Sequence, residues 1–169
     1  MYICLMRHGN AEPFAAGTAD RSRELTAVGK KQAQAMIQTA QQWWPAGKTV
    51  LWSSPYVRAC QTAVYFNGVI PYASFHTHEA IAEGTLERVY TDIICQSDAN
   101  VLCMVGHAPY LGQWVRQWTG MTLDFKPGSM ALLEYDVYGG AAGAASLLLY
   151  MQPKGAALLK PREKQEMNC

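Results

Sequence analysis

The sequence predicts an α/β fold, a three-layer α/β/α arrangement around a mainly parallel central sheet with an antiparallel hairpin near the C-terminus. Up to about residue 120, short apolar runs alternate with longer amphipathic runs, which is the pattern of repeated strand–helix units. Beyond residue 120, two apolar runs follow each other across a Gly/Ala-rich turn at residues 139–143, which is the pattern of a hairpin.

Each predicted strand is a short apolar run bounded by polar or turn residues. The runs at residues 2–6 and 101–105 are continuously apolar, as expected of parallel strands buried on both faces. The predicted strands cover residues 2–6, 49–53, 73–77, 101–105, 129–137 and 145–152.

The predicted helices begin at capping residues. Thr26 is the predicted cap of a helix that extends to about Trp44, where Pro45 follows. Ser54 is the predicted cap of the next helix, with Pro55 at its first position. The predicted helices cover residues 27–44, 55–66, 85–95 and 108–118.

Length and charge exclude several classes of protein. The chain has 169 residues and a formal net charge of +1, so a broad basic surface for nucleic acid or for a membrane is not expected. We expect one domain over residues 1–159 with a polar tail at 160–169, monomeric and without a cofactor. The five cysteines include no C-x-x-C pair, and no apolar run is long enough for a membrane helix, so we expect a cytoplasmic protein.

Four polar residues are placed at one edge of the predicted sheet. His8 follows the first strand, Arg58 begins the helix after the second, Glu79 follows the third and His107 follows the fourth. Ligands of such sheets bind at the carboxyl ends of the strands, where these residues meet. With Arg7, they form a compact cationic site that suits a phosphoryl group, because guanidinium groups match phosphate oxygens in pairs.

This set of residue types also suggests a reaction. An imidazole that is neutral near pH 7 can attack phosphorus, and its phosphoryl adduct is labile enough to hydrolyse. Because arginines stabilise the charge of the phosphoryl oxygens, the chemistry requires no metal ion. His76 and His78 have the spacing of a metal pair on one strand, but no third ligand is evident, and a solvated face is the favoured interpretation.

Four ordered motifs give the sequence a family resemblance. They are Leu-Met-Arg-His-Gly at 5–9, Arg-Glu-Leu-Thr-Ala-Val-Gly at 23–29, Ser-Ser-Pro-Tyr-Val-Arg-Ala-Cys-Gln-Thr at 53–62 and Val-Gly-His-Ala-Pro at 105–109. In this order they resemble the histidine phosphatase superfamily. The short chain and the Lys-Pro-Gly-Ser entry to the hairpin at 126–129 are most similar to SixA-type phosphohistidine phosphatases. The resemblance implies a phosphoglycerate mutase-like fold without its helical insertion.

The resemblance also implies roles for individual residues. His8 would accept the phosphoryl group, Arg7 and Arg58 would hold its oxygens, and His107 would be a charged hydrogen-bond donor to them. Glu79 falls where larger members place a proton-donating carboxylate, and Glu83 is the less favoured occupant of that role.

Two further residues are candidate substrate contacts outside this core. Asn10 departs from the acidic residue often found after Arg-His-Gly, and it could alter substrate preference. Arg23 lies with Asp20 and Arg21 in a loop that is either a salt-bridge cluster, the favoured interpretation, or a rim that steers anions.

The small number of residues between Glu79 and Val101 bears on the substrate. Without a helical insertion the site would be shallow, which suits a phosphorylated side chain of another protein better than a small sugar that needs burial. We therefore expect a metal-independent phosphatase that acts on phosphohistidine of a partner protein in signal transduction. The alternatives are a phosphatase of a small phosphate ester and a non-catalytic module that binds a phosphorylated residue.

Overall fold

The computed structural model describes residues 1–17, 19–139 and 145–159, and its sheet confirms the predicted fold class. Six strands lie in the order β3-β2-β4-β1-β5-β6. The pairs β1–β4, β4–β2 and β2–β3 are parallel, whereas β1–β5 and β5–β6 are antiparallel. The strands are β1 Tyr2–Arg7, β2 Thr49–Ser53, β3 Ser74–Thr77, β4 Val101–Gly106, β5 Met130–Tyr135 and β6 Ala145–Met151.

Helices cover both faces of this sheet. The α-helices are α1 Ala27–Ala40, α2 Val57–Ala63, α3 Glu79–Glu83, α4 Leu86–Val89, α5 Tyr110–Thr119 and α6 Pro153–Leu158. Short 3-10 turns are formed by Asp20–Ser22 and Val64–Phe66, and a π-helical turn by Tyr90–Ile94.

Alternate residues of the central strands enter two separate cores. On β1, Ile3 and Leu5 pack with residues of α3, α4 and α5, while Cys4 and Met6 pack with residues of α1, α2 and α6. This two-residue alternation is the side-chain geometry of a strand, and it explains why strands buried on both faces are apolar throughout. The result is the predicted three-layer arrangement.

Several helices differ from the predicted ones. Helix α1 ends at Ala40 instead of Trp44, and α6 was not predicted. Helix α2 begins at Val57 instead of Pro55, because the Ser54 side chain accepts the Tyr56 N–H and closes a turn ahead of the helix. The segment predicted as a helix at 85–95 is α4 followed by the π-helical turn, and the short helix α3 before it was not predicted. His78 caps α3 by accepting the Ala80 N–H, a role that its sequence position did not reveal.

Other expectations concern the ends and the surface of the chain. The hairpin is present, but residues 140–144 of its turn and the polar tail at 160–169 lie outside the described residues. Among the helices of the described segments, none is long and apolar enough to cross a membrane.

Candidate active site

The predicted site lies where the parallel strands β1, β4 and β2 end. In the parallel pair, Arg7 of β1 lies opposite Gly106 of β4, so His8 and His107 follow side by side, and their ring centroids are 5.1 Å apart. Arg58, in the first turn of α2 after β2, donates from Nε to His8 Nε2 at 3.2 Å. The structure thus brings together four predicted residues, which we call the inner cup: Arg7, His8, Arg58 and His107.

The two ring nitrogens of His8 have different partners. Nδ1 is 2.7 Å from the Gly9 carbonyl oxygen, to which it can only donate. Nε2 accepts from Arg58, which is always a donor. Both contacts assign the same tautomer, with the proton on Nδ1 and the lone pair on Nε2.

Burial keeps the His8 ring uncharged. His8 is only 8 % exposed to solvent. Burial is the largest cause that lowers the pKa of His8, to about 3, and the nearby His107, Arg58 and Arg7 lower it further against the opposing Gly9 hydrogen bond. The sequence predicted an imidazole that is only partly neutral near pH 7. Burial keeps the His8 imidazole neutral throughout the physiological pH range.

Arg58 is held at its far end by the loop between β1 and α1. Its Nη1 donates to the Asp20 carbonyl oxygen at 2.6 Å and its Nη2 to Asp20 Oδ2 at 3.0 Å. Oδ1 of the same carboxylate accepts from Arg23 Nε at 2.8 Å. Asp20 and Arg23 thus form part of the predicted loop cluster, which reaches into the inner cup, whereas Arg21 pairs with Glu79.

Arg7 has one fixed and one open donor. Nη1 donates to the Phe125 carbonyl oxygen at 2.6 Å, and Nε is buried without a partner among the described residues. Burial lowers the pKa of Arg7, with Asp124 opposing and Arg58 adding to the shift. A partly buried guanidinium with an open, buried Nε–H is a binding group for an anion.

His107 is held by a serine of the β2–α2 turn. Its Nε2 lies 2.7 Å from Ser54 Oγ, and its Nδ1 is buried without a partner among the residues that the structure describes. Burial, and secondarily Arg58, lowers the pKa of His107 to about 4. In the ligand-free molecule this ring is neutral, so the charged donor expected from the sequence is not its resting state.

Two glycines let the His8 loop approach helix α1. A Cβ at Gly9 would collide with the Gly29 carbonyl, and one at Gly29 would collide with the Asn10 carbonyl. The Thr26 side chain caps α1 at the Gly29 N–H and donates to the Asn10 side-chain oxygen at 2.8 Å. Asn10 is thus engaged in anchoring the helix start, and its proposed contact with substrate stays a prediction.

Charged residues around the cup form a second layer, which we call the rim: the exposed Arg21 and Glu79 and the half-buried Arg23. Glu79 Oε1 accepts from Arg21 Nη2 at 2.6 Å, and both side chains are about half exposed. The Arg21 guanidinium also lies 5.2 Å from the centre of the Tyr56 ring, and that of Arg58 lies 4.9 Å from it. Glu79, the candidate general acid, therefore faces an exposed arginine.

Sequence reasoning missed three residues of the site. Asp20 and Ser54 hold Arg58 and His107, and Tyr56 packs its ring 4.9 Å from that of His107. Ser54 and Tyr56 lie in the 53–62 motif together with Arg58, so their position near Arg58 in the sequence was the signal that could have identified them. The contact of Asp20 depends on how a loop folds and has no sequence signal.

No group of three or more His, Cys, Asp or Glu suited to a metal ion occurs among the residues described. His78 instead pairs with Asp92 at 3.4 Å, and His76 stacks against Trp52 with ring centres 4.7 Å apart. The H-x-H segment thus has partners other than a metal.

Comparison with solved structures gives the same fold. The protein histidine phosphatase SixA in complex with tungstate superposes with a TM-score of 0.78 at 23% identity, over 91% of this chain and 98% of the other. A protein assigned as the phosphohistidine phosphatase SixA of Agrobacterium tumefaciens gives 0.75 at 19% identity, over 90% and 97%. Another, from Nakamurella multipartitia, gives 0.72 at 25% identity, over 90% and 95%. No curated protein matches the sequence significantly.

The sequence itself also matches a family model. The match covers residues 3–100, which include Arg7, His8 and Arg58 of the inner cup, and the model describes the histidine phosphatase superfamily (branch 1). His107 lies beyond the matched segment, but it stands beside His8 at the end of the adjacent strand β4. With more than half of its length matched and the SixA fold around its paired histidines, the chain belongs to the histidine phosphatase superfamily.

Proposed function

We propose that the protein hydrolyses phosphohistidine on a partner protein through a phosphorylated intermediate on its own His8. The observation that carries this proposal is the state of His8. Its proton is held on Nδ1 by the Gly9 carbonyl, and its unprotonated Nε2 faces Arg58 inside the cationic cup. A buried, neutral and oriented imidazole is prepared to act as a nucleophile.

The proposed reaction has two transfers. First, His8 Nε2 forms a bond to phosphorus as the bond from phosphorus to the substrate imidazole breaks. The substrate imidazole leaves with a proton already on its other nitrogen. Water then forms a bond to phosphorus, the bond to Nε2 breaks, and one water proton passes to a phosphoryl oxygen, so that inorganic phosphate leaves. Because Nδ1 keeps its proton, His8 departs as a neutral imidazole in the second step.

The cationic side chains supply the charge stabilisation. Arg58 Nε donates to His8 Nε2, and Arg7 Nε is buried without a partner among the described residues, so both N–H groups are available to the oxygens of a phosphoryl group at His8. Ser54 Oγ accepts the Tyr56 N–H at 3.3 Å and can donate its own proton to His107 Nε2. With Ser54 as the donor, the His107 ring proton would be on Nδ1, the nitrogen without a partner among the described residues, where it would be available to a phosphoryl oxygen. These groups provide for the reaction without a metal ion.

The cover of the site supports a protein substrate. The buried residues of α3 and α4 and of the π-helical turn pack into the core against the sheet, and they are Ala80, Ile81, Leu86, Val89, Ile93 and Ile94. The segment between β3 and β4 thus contributes to the hydrophobic core and does not form a lid over the site. A small sugar phosphate needs enclosure on most sides, whereas a side chain of another protein brings its own surroundings.

The leaving group supports the same choice. An imidazole protonated on its other nitrogen departs without help from a strong general acid, which an alkoxide leaving group would need. Glu79, the candidate for that role, is exposed and paired with Arg21. Three structures of the same fold also carry the SixA name, and two of them are assigned as phosphohistidine phosphatases.

Trapping the intermediate tests the mechanism. Rapid quenching of the protein with a ³²P-labelled phosphohistidine domain should yield acid-labile, base-stable label on the enzyme, and none in the variant His8→Ala. The matched control is His76→Gln, which changes an exposed histidine of β3 and should label like the wild type. Equal phosphate release by wild type and His8→Ala would contradict the intermediate.

Substrate comparison tests the preference and separates the alternatives. We expect kcat/KM for a phosphorylated histidine-containing phosphotransfer domain to exceed that for sugar phosphates and p-nitrophenyl phosphate by about 10²-fold or more, since oriented protein contacts add to the shared phosphoryl contacts. A preference for a sugar phosphate would overturn the protein substrate. Tight binding without turnover would identify a binding module instead.

A further inference from the structure

We infer that Asp20 is a positioning residue for phosphoryl transfer, which orients the Arg58 guanidinium toward His8. Neither the fold nor the family motifs assign a function to this residue. It lies in a 3-10 turn of the loop between β1 and α1, 38 residues before the arginine that it contacts. The inference deepens the proposed function, on which it rests for the identity of the group that Arg58 would contact.

The contacts divide the guanidinium into two edges. The end edge, Nη1 and Nη2, is taken by the carbonyl oxygen and the carboxylate of Asp20 at 2.6 and 3.0 Å. The side edge, which contains Nε, is directed at His8 Nε2 at 3.2 Å. A guanidinium has five N–H groups in one rigid plane, so a partner that fixes one edge also fixes the direction of the other.

Asp20 is itself held in place. Arg23 donates to Asp20 Oδ1 from Nε at 2.8 Å and contacts it from Nη2 at 2.6 Å, while its Nη1 donates to the Glu12 carbonyl oxygen at 2.7 Å. The carboxylate therefore bridges two arginines, one buried and one at the rim. Partial burial alone would raise the pKa of Asp20, but the hydrogen bonds from Arg58 and Arg23 lower it, so the bridge is ionised at neutral pH.

The burial of Arg58 makes this support necessary. The substitution Asp20→Ala would keep the main-chain carbonyl that accepts from Nη1 but remove the carboxylate that accepts from Nη2. Because the Arg58 side chain is only 6 % exposed, the guanidinium would retain its charge in the cup with its end edge held by one contact instead of two, and its orientation would be less well fixed. Binding of the substrate phosphoryl group, which Arg7 also holds, should then suffer less than the transfer step, which requires alignment with His8.

Steady-state kinetics with two substitutions test the inference. Asp20→Ala should lower kcat about 10-fold or more while KM changes less than about 3-fold, and Asp20→Asn, whose amide oxygen can still accept from Nη2, should recover part of kcat. The control Asp98→Asn removes an exposed aspartate paired with Lys48 at the opposite end of the sheet and should change neither parameter. In an Arg58→Ala background, Asp20→Ala should cost nothing more. An equal loss in both backgrounds, or an unchanged kcat, would overturn the inference.

A binding and an exchange measurement keep this test separate from the proposed function. In the ligand-free protein, proton exchange at Arg58 Nε should become at least about 10-fold faster in Asp20→Ala than in wild type, whatever substrate the enzyme hydrolyses. Unchanged exchange would overturn the positioning role even if phosphohistidine is the substrate. Tighter binding of tungstate by Asp20→Asn would also overturn it, because it would show that the carboxylate competes with the anion for Arg58.

Discussion

The inner cup and the rim both contain two arginines but differ in what holds their side chains. His8 and His107 directly follow buried parallel strands, and backbone carbonyls or buried side chains fix their nitrogens. Glu79 and Arg21 project from a helix start and a loop, and they pair with each other in solvent. Fixed, desolvated groups can stabilise a transition state, whereas exposed pairs are screened and contribute little.

Arg58 of the inner cup and Arg21 of the rim both contact the Tyr56 ring, so substituting each of them compares the two layers most directly. Arg58→Ala should lower kcat/KM about 10²–10³-fold, because it removes a preorganised donor beside His8. Arg21→Ala should lower it less than about 3-fold, because its pair with Glu79 is exposed. The measurement is turnover of one phosphorylated protein by both variants. Similar losses from the two substitutions would remove the distinction between cup and rim.

Substitutions of His107 and of its partner Ser54 test whether the His107 ring donates a hydrogen bond to the phosphoryl group. His107→Ala should lower kcat about 10²-fold through loss of a donor to the phosphoryl group. Ser54→Ala, which leaves the ring but removes its 2.7 Å partner, should lower kcat about 3- to 10-fold, the effect of one neutral hydrogen bond. The kinetics of both variants check this order. A larger loss in Ser54→Ala than in His107→Ala would show that the serine acts on substrate itself.

The cup should also determine how stability depends on pH. Burial lowers the pKa of His8 to about 3 and that of His107 to about 4, from an ordinary value of 6.5. The unfolded chain therefore binds protons that the folded chain does not. The stabilisation from each neutral ring is complete above pH 6.5 and is lost as the pH falls toward 3–4, by about 5 kcal/mol for His8 and about 3 kcal/mol for His107.

Urea denaturation between pH 7.5 and 4.5 measures this dependence. The free energy of unfolding should decrease in the wild type as the pH is lowered. It should decrease less steeply in His107→Gln, because the slope against pH loses the contribution of one proton. The variant His76→Gln, which changes an exposed histidine, serves as the control and should follow the wild type. Parallel curves for wild type and His107→Gln would show that His107 binds its proton equally in the folded and unfolded states, so that its pKa is not lowered by folding.

The cup was predictable from the sequence, and the rim was not, for a physical reason. The apolar runs that end at Arg7 and Val105 fix the neighbouring strands, and strand pairing then places His8 and His107 together. The orientation of Asp20 and of Glu79 depends on the path of a loop and on a short helix capped by His78. Such positions result from many weak tertiary contacts, which leave no periodic pattern in the chain.

The smallest expected effect concerns Glu79. Glu79→Gln should change kcat for the phosphohistidine protein less than about 3-fold, because the carboxylate is exposed, paired with Arg21 and not needed by an imidazole leaving group. Glu87→Gln, which alters an exposed carboxylate of α4, is the matched control. The comparison becomes sharper with p-nitrophenyl phosphate and an alkyl phosphate. A loss of about 10²-fold confined to the alkyl phosphate would assign Glu79 as general acid for poor leaving groups, and an equal loss with phosphohistidine would place it inside the catalytic machinery despite its exposure.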